Sequence, residues 1–506
     1  MISICGNEPQ ASISSDELAS SDVFVKISQY TSVEMSDFTV FVLVFLGCYL
    51  HLQSLKYHVV EMISSSGVYD ISLSEFIREI KGDHGPFIKI GLSAGNIVGK
   101  NLQKPKVIIG KDTRRSGYMV ENALTAGFIS AGWNVNLLGP LPTPAVSFLT
   151  KSLRADLGIM ISASHNPFED NGIKFFDRDG FKLDDSLEAM ISDEIKRPST
   201  LVEPENLGRA SRINDVLGRY TEFAKTTVSS DLRLDGLKVL VDCANGAAYK
   251  LIPQTISELG AEVVAMSVNP NGYNINLECG STYPRRAQEA VLAEKADLGV
   301  CLDGDADRVL LIDENGKIAD GDQVMALIAK SWMTEGSLRK NTVVSTVMSN
   351  LAFEIFLKDI GVELLRTNVG DRHVSKKMVD GGFNLGGEQS GHIILSDFSS
   401  TGDGLITSLQ ILSILKSSGR RASEILNSFE PFPQKIVNLD PKSCNDFLAD
   451  GLIKRKLLNI ENGIRDSGRI ILRKSGTENL IRLMVEHKDR SFLEKTLDSC
   501  LEVLQK

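Results

Sequence analysis

The sequence predicts an α/β protein made of three similar mixed-sheet α/β domains followed by a small α+β C-terminal domain. Three observations carry that expectation. From Phe87 onward, short apolar strands such as 107–109 alternate with amphipathic stretches such as 118–131, the pattern of βα units. Three times a strand ends in a polar loop: VIIGKDTR (107–114), VLVDCANG (239–246) and VVSTVMSN (343–350). Each is followed roughly 40–60 residues later by a second strand running into a denser polar loop, ISASHNP (161–167), CLDGDADR (301–308) or LGGEQSGH (385–392). The chain has 506 residues, enough for three or four domains at roughly 100–200 residues each.

Composition narrows the class. Hydrophobic residues make up 42% and charged residues 24%, which excludes a mainly disordered chain. A net charge of −10 argues against a nucleic-acid binder, so any phosphate site must be a local cluster of cations. The seven cysteines (5, 48, 243, 279, 301, 444, 500) lie far apart, with neither CxxC nor a Cys/His pairing of zinc spacing. That points to a reducing compartment, the cytoplasm, and away from disulfides or structural zinc.

Residues 1–85 form an atypical N-terminal segment with eleven acidic residues, four basic residues and fifteen serines. Its apolar run 38–50 is thirteen residues long, short of the ~20 that span a bilayer, so no membrane association is expected. The first domain is expected over 86–233. In Ser162-Ala163-Ser164-His165-Asn166-Pro167 a strand breaks at small polar residues and a proline, which can present a hydroxyl at the strand's carboxyl end. A serine that exchanges phosphate needs cations and a base, and Lys174, His165 and Arg114 are the candidates. Taken alone, the loop reads equally as a strand-to-helix turn with capping serines.

The second domain is expected over 234–333. Asp303, Asp305 and Asp307 alternate after the strand 298–302, so in an extended loop they converge on one hard cation. Calcium is the competitor, because these aspartates with Glu314 match positions 1, 3, 5 and 12 of an EF-hand. Arg308 stands where that loop wants glycine and the flanks read as strands, so magnesium with a phosphate oxygen is preferred. The third domain, 334–431, offers Gly387-Glu388-Gln389-Ser390-Gly391-His392, a carboxylate, a hydroxyl and an imidazole between glycines, suited to sugar hydroxyls or to a plain polar turn. Pro431, Pro433 and Gln434 mark the start of the fourth domain, 432–506. There Arg473-Lys474-Ser475-Gly476-Thr477-Glu478-Asn479 joins two strands and makes an anion nest, or else an exposed basic hairpin.

In order along the chain, these loops resemble the α-D-phosphohexomutase superfamily, and most closely its bacterial members acting on glucosamine phosphates. The resemblance rests on GKDTRRSGYM (110–119), GPLPTPAV (139–146), GIMISASHNPFEDNGIKFF (158–176), VDCANGAA (241–248), DGDADR (303–308), TVMSN (346–350), GGEQSGHII (386–394), TGDGL (401–405) and RKSGTENLIRLMVE (473–486). It implies that Ser164 carries the phosphate and that Asp303, Asp305 and Asp307 hold Mg²⁺ together with a Ser164 phosphate oxygen. Glu388, Ser390 and His392 would grip the sugar. Arg473, Ser475, Gly476 and Thr477 would bind the substrate phosphate, with Lys174, Arg114 and Arg308 assisting transfer. The implied reaction interconverts glucosamine 6-phosphate and glucosamine 1-phosphate through a 1,6-bisphosphate, which also serves as activator, and feeds UDP-N-acetylglucosamine. Partners are then a phosphorylated hexosamine and, at most, a second copy in a homodimer. Gln389 favours glucosamine over glucose or mannose, the alternative substrates, and an inactive sugar-phosphate binder is the alternative class.

Two departures accompany the likeness. Lys474 and Asn479 replace prolines of the family's phosphate loop. The family's opening segment, phenylalanine-glycine-threonine-aspartate-glycine-isoleucine-arginine-glycine, has no counterpart in residues 1–86. Residues 1 to about 80 are therefore expected to pack poorly, to leave the first sheet short of an edge strand and to supply no catalytic group, Arg78 being their one arginine.

Overall fold

A computed structural model describes residues 85–441, 451–465, 467–474 and 480–504. The expectations for residues 1 to about 80, including the apolar run 38–50 and Arg78, lie outside the described residues.

The sequence repeat is a structural repeat. In the first sheet β1 (Lys106–Lys111) lies between β2 (Asn134–Pro140) and β3 (Leu157–Ile161), parallel to both. β4 (Ile173–Asp177) adds antiparallel to β3, and β5 (Ala210–Arg212) adds parallel to β2. The second sheet repeats this: β6 (Lys238–Asp242) between β7 (Glu262–Met266) and β8 (Leu298–Leu302), then β9 (Val309–Asp313) antiparallel on β8 and β10 (Ile318–Ala319) beyond. The third has β11 (Thr342–Thr346) between β12 (Glu363–Thr367) and β13 (Leu385–Gly387), with β14 (Ile393–Leu395) antiparallel on β13. Strands β3, β8 and β11 are buried at every position, because helices cover both faces of each sheet. The three dense polar loops therefore occupy one equivalent place, the turn out of β3, β8 or β13 into its antiparallel neighbour.

One continuous apolar core joins the three sheets, running from Ile108 and Met160 through Val241 and Val300 to Val343, Leu385 and Leu412. A second core covers the outer face of the first sheet, where helix Gly85–Val98 contributes Phe87, Ile90 and Ala94 against Phe128 and Trp133. The C-terminal unit is the expected α+β fold. β15 (Gln434–Leu439), β17 (Ile481–His487) and β16 (Gly468–Lys474) form an antiparallel sheet in that order, backed by helices Gly451–Ile464 and Arg490–Leu504. Its own core centres on Leu483, Val485, Leu497 and Leu504.

The seam between this unit and the third sheet is polar instead. The fully buried Glu486 accepts from the Leu351 N–H at 2.6 Å and pairs with Arg469 at 3.2 Å, while Gln434 also donates to it. Arg469 donates to the Val347 carbonyl at 2.9 Å, and Asn350 exchanges two hydrogen bonds of 3.0 Å with the Phe432 backbone. The TVMSN turn after β11 is thus the surface on which the last unit sits.

Candidate active site

The chain leaves β3 at Ile161 and turns at once. Ser162 Oγ donates to Asp112 Oδ2 at 2.7 Å and accepts from the Ser164 N–H at 2.9 Å. Ser164 has φ +50°, in the left-handed region, which costs a non-glycine residue roughly 1–2 kcal/mol and persists only where the surroundings impose it. Arg114 is one reason it does. The side chain is 2% exposed and all five of its N–H donors are committed. Nε reaches Asp112 Oδ2 at 2.9 Å, Nη1 the carbonyls of Pro167 and Asp170, and Nη2 those of Ser164 at 3.1 Å and Asn166 at 2.8 Å. Arg114 was expected to assist transfer as a nearby cation; the geometry instead uses it to shape the serine loop from below.

Ser164 Oγ donates to Asp303 Oδ2 at 2.6 Å and lies 3.3 Å from His165 Nδ1. Ser164 of the first domain therefore meets the acidic loop of the second. The two backbones touch: a Cβ at Gly304 would stand 2.6 Å from the Ser164 carbonyl oxygen, so only glycine fits there. His165 is pulled down to about 4 by burial and by the Arg308 charge, so its imidazole is neutral at pH 7.

Asp303, Asp305 and Asp307 are all buried, with ligand oxygens within 4.8 Å of one another. Burial, then the charges of Asp307 and Asp305, push the Asp303 carboxyl well above the usual range. Asp307 is held well below it: burial opposes its charge, but Lys174 and His392 outweigh burial. Lys174 Nζ bridges Asp305 and Asp307 at 2.6 Å each, and these carboxylates raise its affinity for the proton against the cost of burial. Among the described residues, Asp305 Oδ1 and Asp307 Oδ1 are buried with no hydrogen-bond partner. Three buried carboxylates with two vacant acceptor oxygens suit a hard cation that takes oxygen ligands. Arg308 anchors the loop through its N–H on Asp303 Oδ1 at 3.2 Å, and its Nε is buried and unpartnered. The EF-hand alternative fails on geometry, because Glu314 lies beyond β9 and binds the N–H of Ser423 at 2.9 Å.

In the third loop Glu388 accepts from the Gly370 N–H at 3.1 Å, and Ser390 is exposed. His392 is 3% exposed and does not reach out toward a ligand. Its Nε2 accepts from the Gly402 N–H at 3.1 Å, leaving Nδ1 to face Asp307 Oδ1 at 3.6 Å, so the geometry makes it a brace for the acidic loop rather than a grip on the sugar. Gln389 also turns away. Its Nε2 donates to Asp320 Oδ2 at 3.1 Å, the residue that caps helix Gly321–Glu335, so it gives no support to a glucosamine preference.

Arg473 lies on the C-terminal sheet directly across from Arg482 in the β16–β17 pairing. Both line a cavity of about 280 Å³ with Met348, Ile436, Asn438, Ile471 and Met484. Burial and the Arg482 charge lower the proton affinity of Arg473. Opposed like charges weaken a strand pair, and an anion between them would remove that penalty. Ser475, Gly476 and Thr477 lie outside the described residues.

Sequence reasoning assigned no role to Arg482, Gly402 or Asn276. Arg482 and Gly402 sat inside quoted motifs, and only the strand register or the loop packing reveals their use. Asn276 had no local signal: it lies in the excursion after β7, and its Nδ2 donates to the carbonyls of Ser164 at 2.9 Å and Asn166 at 3.0 Å.

The site's order along the chain is matched by known proteins. Residues 80–201, 218–316 and 320–432 match phosphoglucomutase/phosphomannomutase alpha/beta/alpha domains I, II and III, and residues 446–503 match the C-terminal domain of the same family. The chain is 54% identical to a phosphoglucosamine mutase of Cereibacter sphaeroides over 421 residues, 83% of this chain and 94% of the relative. It is 53% identical to that of Paracoccus denitrificans over 420 residues, with the same shares. Among solved structures, a phosphoglucomutase/phosphomannomutase family protein of Burkholderia thailandensis superposes with a TM-score of 0.72 at 23% identity, covering 86% of this chain and 97% of the other. The N-acetylphosphoglucosamine mutase of Aspergillus fumigatus, in complex with GlcNAc-6P and magnesium, gives a TM-score of 0.58 at 21% identity, over 71% and 92%. These two structures speak for the fold.

Proposed function

Because this chain belongs to the phosphoglucomutase/phosphomannomutase family, we propose that it is a phosphoglucosamine mutase, an isomerase interconverting glucosamine 6-phosphate and glucosamine 1-phosphate. The observation that carries the reading is the contact of Ser164 Oγ with Asp303 at 2.6 Å, which joins the hydroxyl of one domain to the acidic cluster of the next. The identity of 54% across 94% of a phosphoglucosamine mutase supports the choice of sugar. In this reading the domains 86–233, 234–333, 334–431 and 432–506 each contribute one loop to one cleft.

The phosphate on Ser164 passes to O1 of glucosamine 6-phosphate: the P–Oγ bond breaks as the P–O1 bond forms, O1 loses its proton, and Ser164 Oγ gains one. The resulting 1,6-bisphosphate reverses in the cleft, and its P–O6 bond breaks as a P–Oγ bond forms; O6 takes up a proton, glucosamine 1-phosphate leaves, and the Ser164 hydroxyl proton departs. Asp303 Oδ2 and the neutral His165 Nδ1 are the acceptors beside Oγ for that proton. Lys174 and Arg308 neutralise the group in transit, Glu388 and Ser390 hold the sugar, and Arg473 with Ser475, Gly476 and Thr477 holds whichever phosphate is idle. Asp303, Asp305 and Asp307 would hold Mg²⁺ beside the phosphoserine, and the ion when bound would neutralise the phosphoryl oxygens during transfer. Free bisphosphate would rephosphorylate an enzyme that has lost its group. Among the described residues no helix is long and apolar enough to cross a membrane.

The test is turnover of glucosamine, glucose and mannose 6-phosphates side by side, with intact mass reading phosphate on the chain. Glucosamine phosphate should be preferred and one phosphate should be found. A preference for glucose or mannose would move the substrate, and a chain that binds sugar phosphates yet never carries phosphate would make it a non-catalytic relative.

A further inference from the structure

The carbonyls of Ser164 and Asn166 are gripped by side chains from two domains. Arg114 belongs to the same domain as Ser164. Asn276 belongs to the domain that carries the acidic loop, and its Nδ2 reaches the same two carbonyls, Ser164 at 2.9 Å and Asn166 at 3.0 Å. Both amide hydrogens are used there, which fixes the orientation of the side chain and leaves its Oδ1 buried with no partner among the described residues. Asn276 is itself rigidly set: its φ is +59° and its N–H donates to the Ala244 carbonyl at 2.9 Å. Its segment is pinned further by Asn245, which donates to the Asn274 carbonyl at 3.3 Å, and by Tyr273 packed edge-on against Phe168 of the serine loop at 5.3 Å. No other described side chain of the acidic-loop domain binds a backbone carbonyl of the serine loop.

We propose that Asn276 is a positioning residue for phosphoryl transfer, holding the strained Ser164 backbone in register with Asp303, Asp305 and Asp307 across the domain boundary. It touches no reacting atom. Its effect runs through the placement of Ser164 Oγ, and the proposal rests on Ser164 as the phosphate carrier. Two carbonyls need two donors, so the isosteric Asn276→Asp, which offers only acceptors, discriminates donation from packing.

The full-length chain would be compared as wild type, Asn276→Asp and Asn276→Ala. We expect kcat for glucosamine 6-phosphate to fall about 30-fold or more in both variants with KM within about threefold, as for a misplaced nucleophile. Hydrogen exchange in the peptide containing residues 162–166 should quicken about tenfold, while exchange in the strands stays at wild-type rates. Asn276→Asp keeps the volume, so the decision rests on it should Asn276→Ala fail to fold. Near-wild-type kcat in Asn276→Asp would overturn the proposal, as would unchanged exchange in that peptide. A rise in KM as large as the fall in kcat would overturn it too, since Asn276 would then contact substrate. The exchange measurement needs no turnover, so it judges Asn276 even if the wild type isomerises none of the three sugar phosphates, a result that would count against the proposed function alone.

Discussion

Ser164 combines a left-handed backbone, a 2.6 Å bond to Asp303 and a nearby neutral imidazole, a set that fits the exchangeable phosphate of the proposed function. Ser164→Ala should abolish phosphate on the chain and reduce turnover by more than about 10³-fold, because the other hydroxyl of the loop, Ser162 Oγ, is already bonded to Asp112. Ser162 is spoken for by Asp112, so a variant that kept normal turnover and a phosphate would end the assignment. Another single residue sets a pH dependence away from the chemistry. Asp322 is fully buried under the TVMSN turn, and burial with the adjacent Asp320 charge pushes its carboxyl up to about 7. An unfolded aspartate releases its proton near pH ~4, so between about pH 4 and 7 the unfolded state binds fewer protons and stability falls as pH rises. Asp322→Asn keeps an acceptor for the Asn350 N–H and removes the charge. The variant should melt at the same temperature as wild type near pH 4.5 and several degrees higher at pH 8; parallel curves would refute this ionisation.

At the scale of elements, the three strand-to-antiparallel-strand turns are one invention used three times, and a fourth segment locks them. The TGDGL turn at 401–405 sends the Gly402 N–H to His392, the Asp403 N–H to the Ile393 carbonyl and the Gly404 N–H to the Ala306 carbonyl. A Cβ at Gly402 would lie 2.5 Å from the Asp307 carbonyl oxygen and 2.6 Å from the His392 ring. Gly402→Ala should therefore displace the acidic loop, weakening Mn²⁺ binding and lowering kcat by about tenfold or more while the three sheets stay folded. Titration with Mn²⁺ beside circular dichroism would read both, and unaltered Mn²⁺ affinity would show the turn to be mere connection. The loops themselves were legible because glycines, prolines and clustered charges punctuate a strand pattern that repeats. What locks them was not legible. Asn276 lies 112 residues from Ser164, and Gly402 95 from Asp307, and such contacts are set by how sheets pack, not by any local period. Gln389 misled for the same reason, since a sequence names a side chain but not the direction it points.

Across the whole molecule, apolar packing and polar packing divide the labour. One continuous core makes the first three sheets a single body, whereas the C-terminal unit keeps a core of its own and meets that body through Glu486, Arg469, Gln434 and Asn350. A polar seam of this kind resembles the interfaces between domains that keep separate cores. In the proposed reaction the bisphosphate must present first one end and then the other to Ser164 without escaping. In the proposed reaction the grip on the idle phosphate would fall to Arg473 and to Arg482 opposite it. Because that phosphate is held alike before, during and after transfer, losing an arginine should raise KM more than it lowers kcat. Arg482→Ala is therefore expected to raise KM for both glucosamine phosphates about tenfold or more. The intermediate should also leak. Each escaped bisphosphate strands a dephosphorylated Ser164, so turnover by the variant should decay during the assay and be restored by added glucosamine 1,6-bisphosphate, while wild type runs steadily without it. Progress curves with and without added bisphosphate decide the matter: a variant with steady, unassisted turnover would mean that Arg482 does not retain the intermediate, and a fall in kcat at constant KM would place it with the transferring group instead.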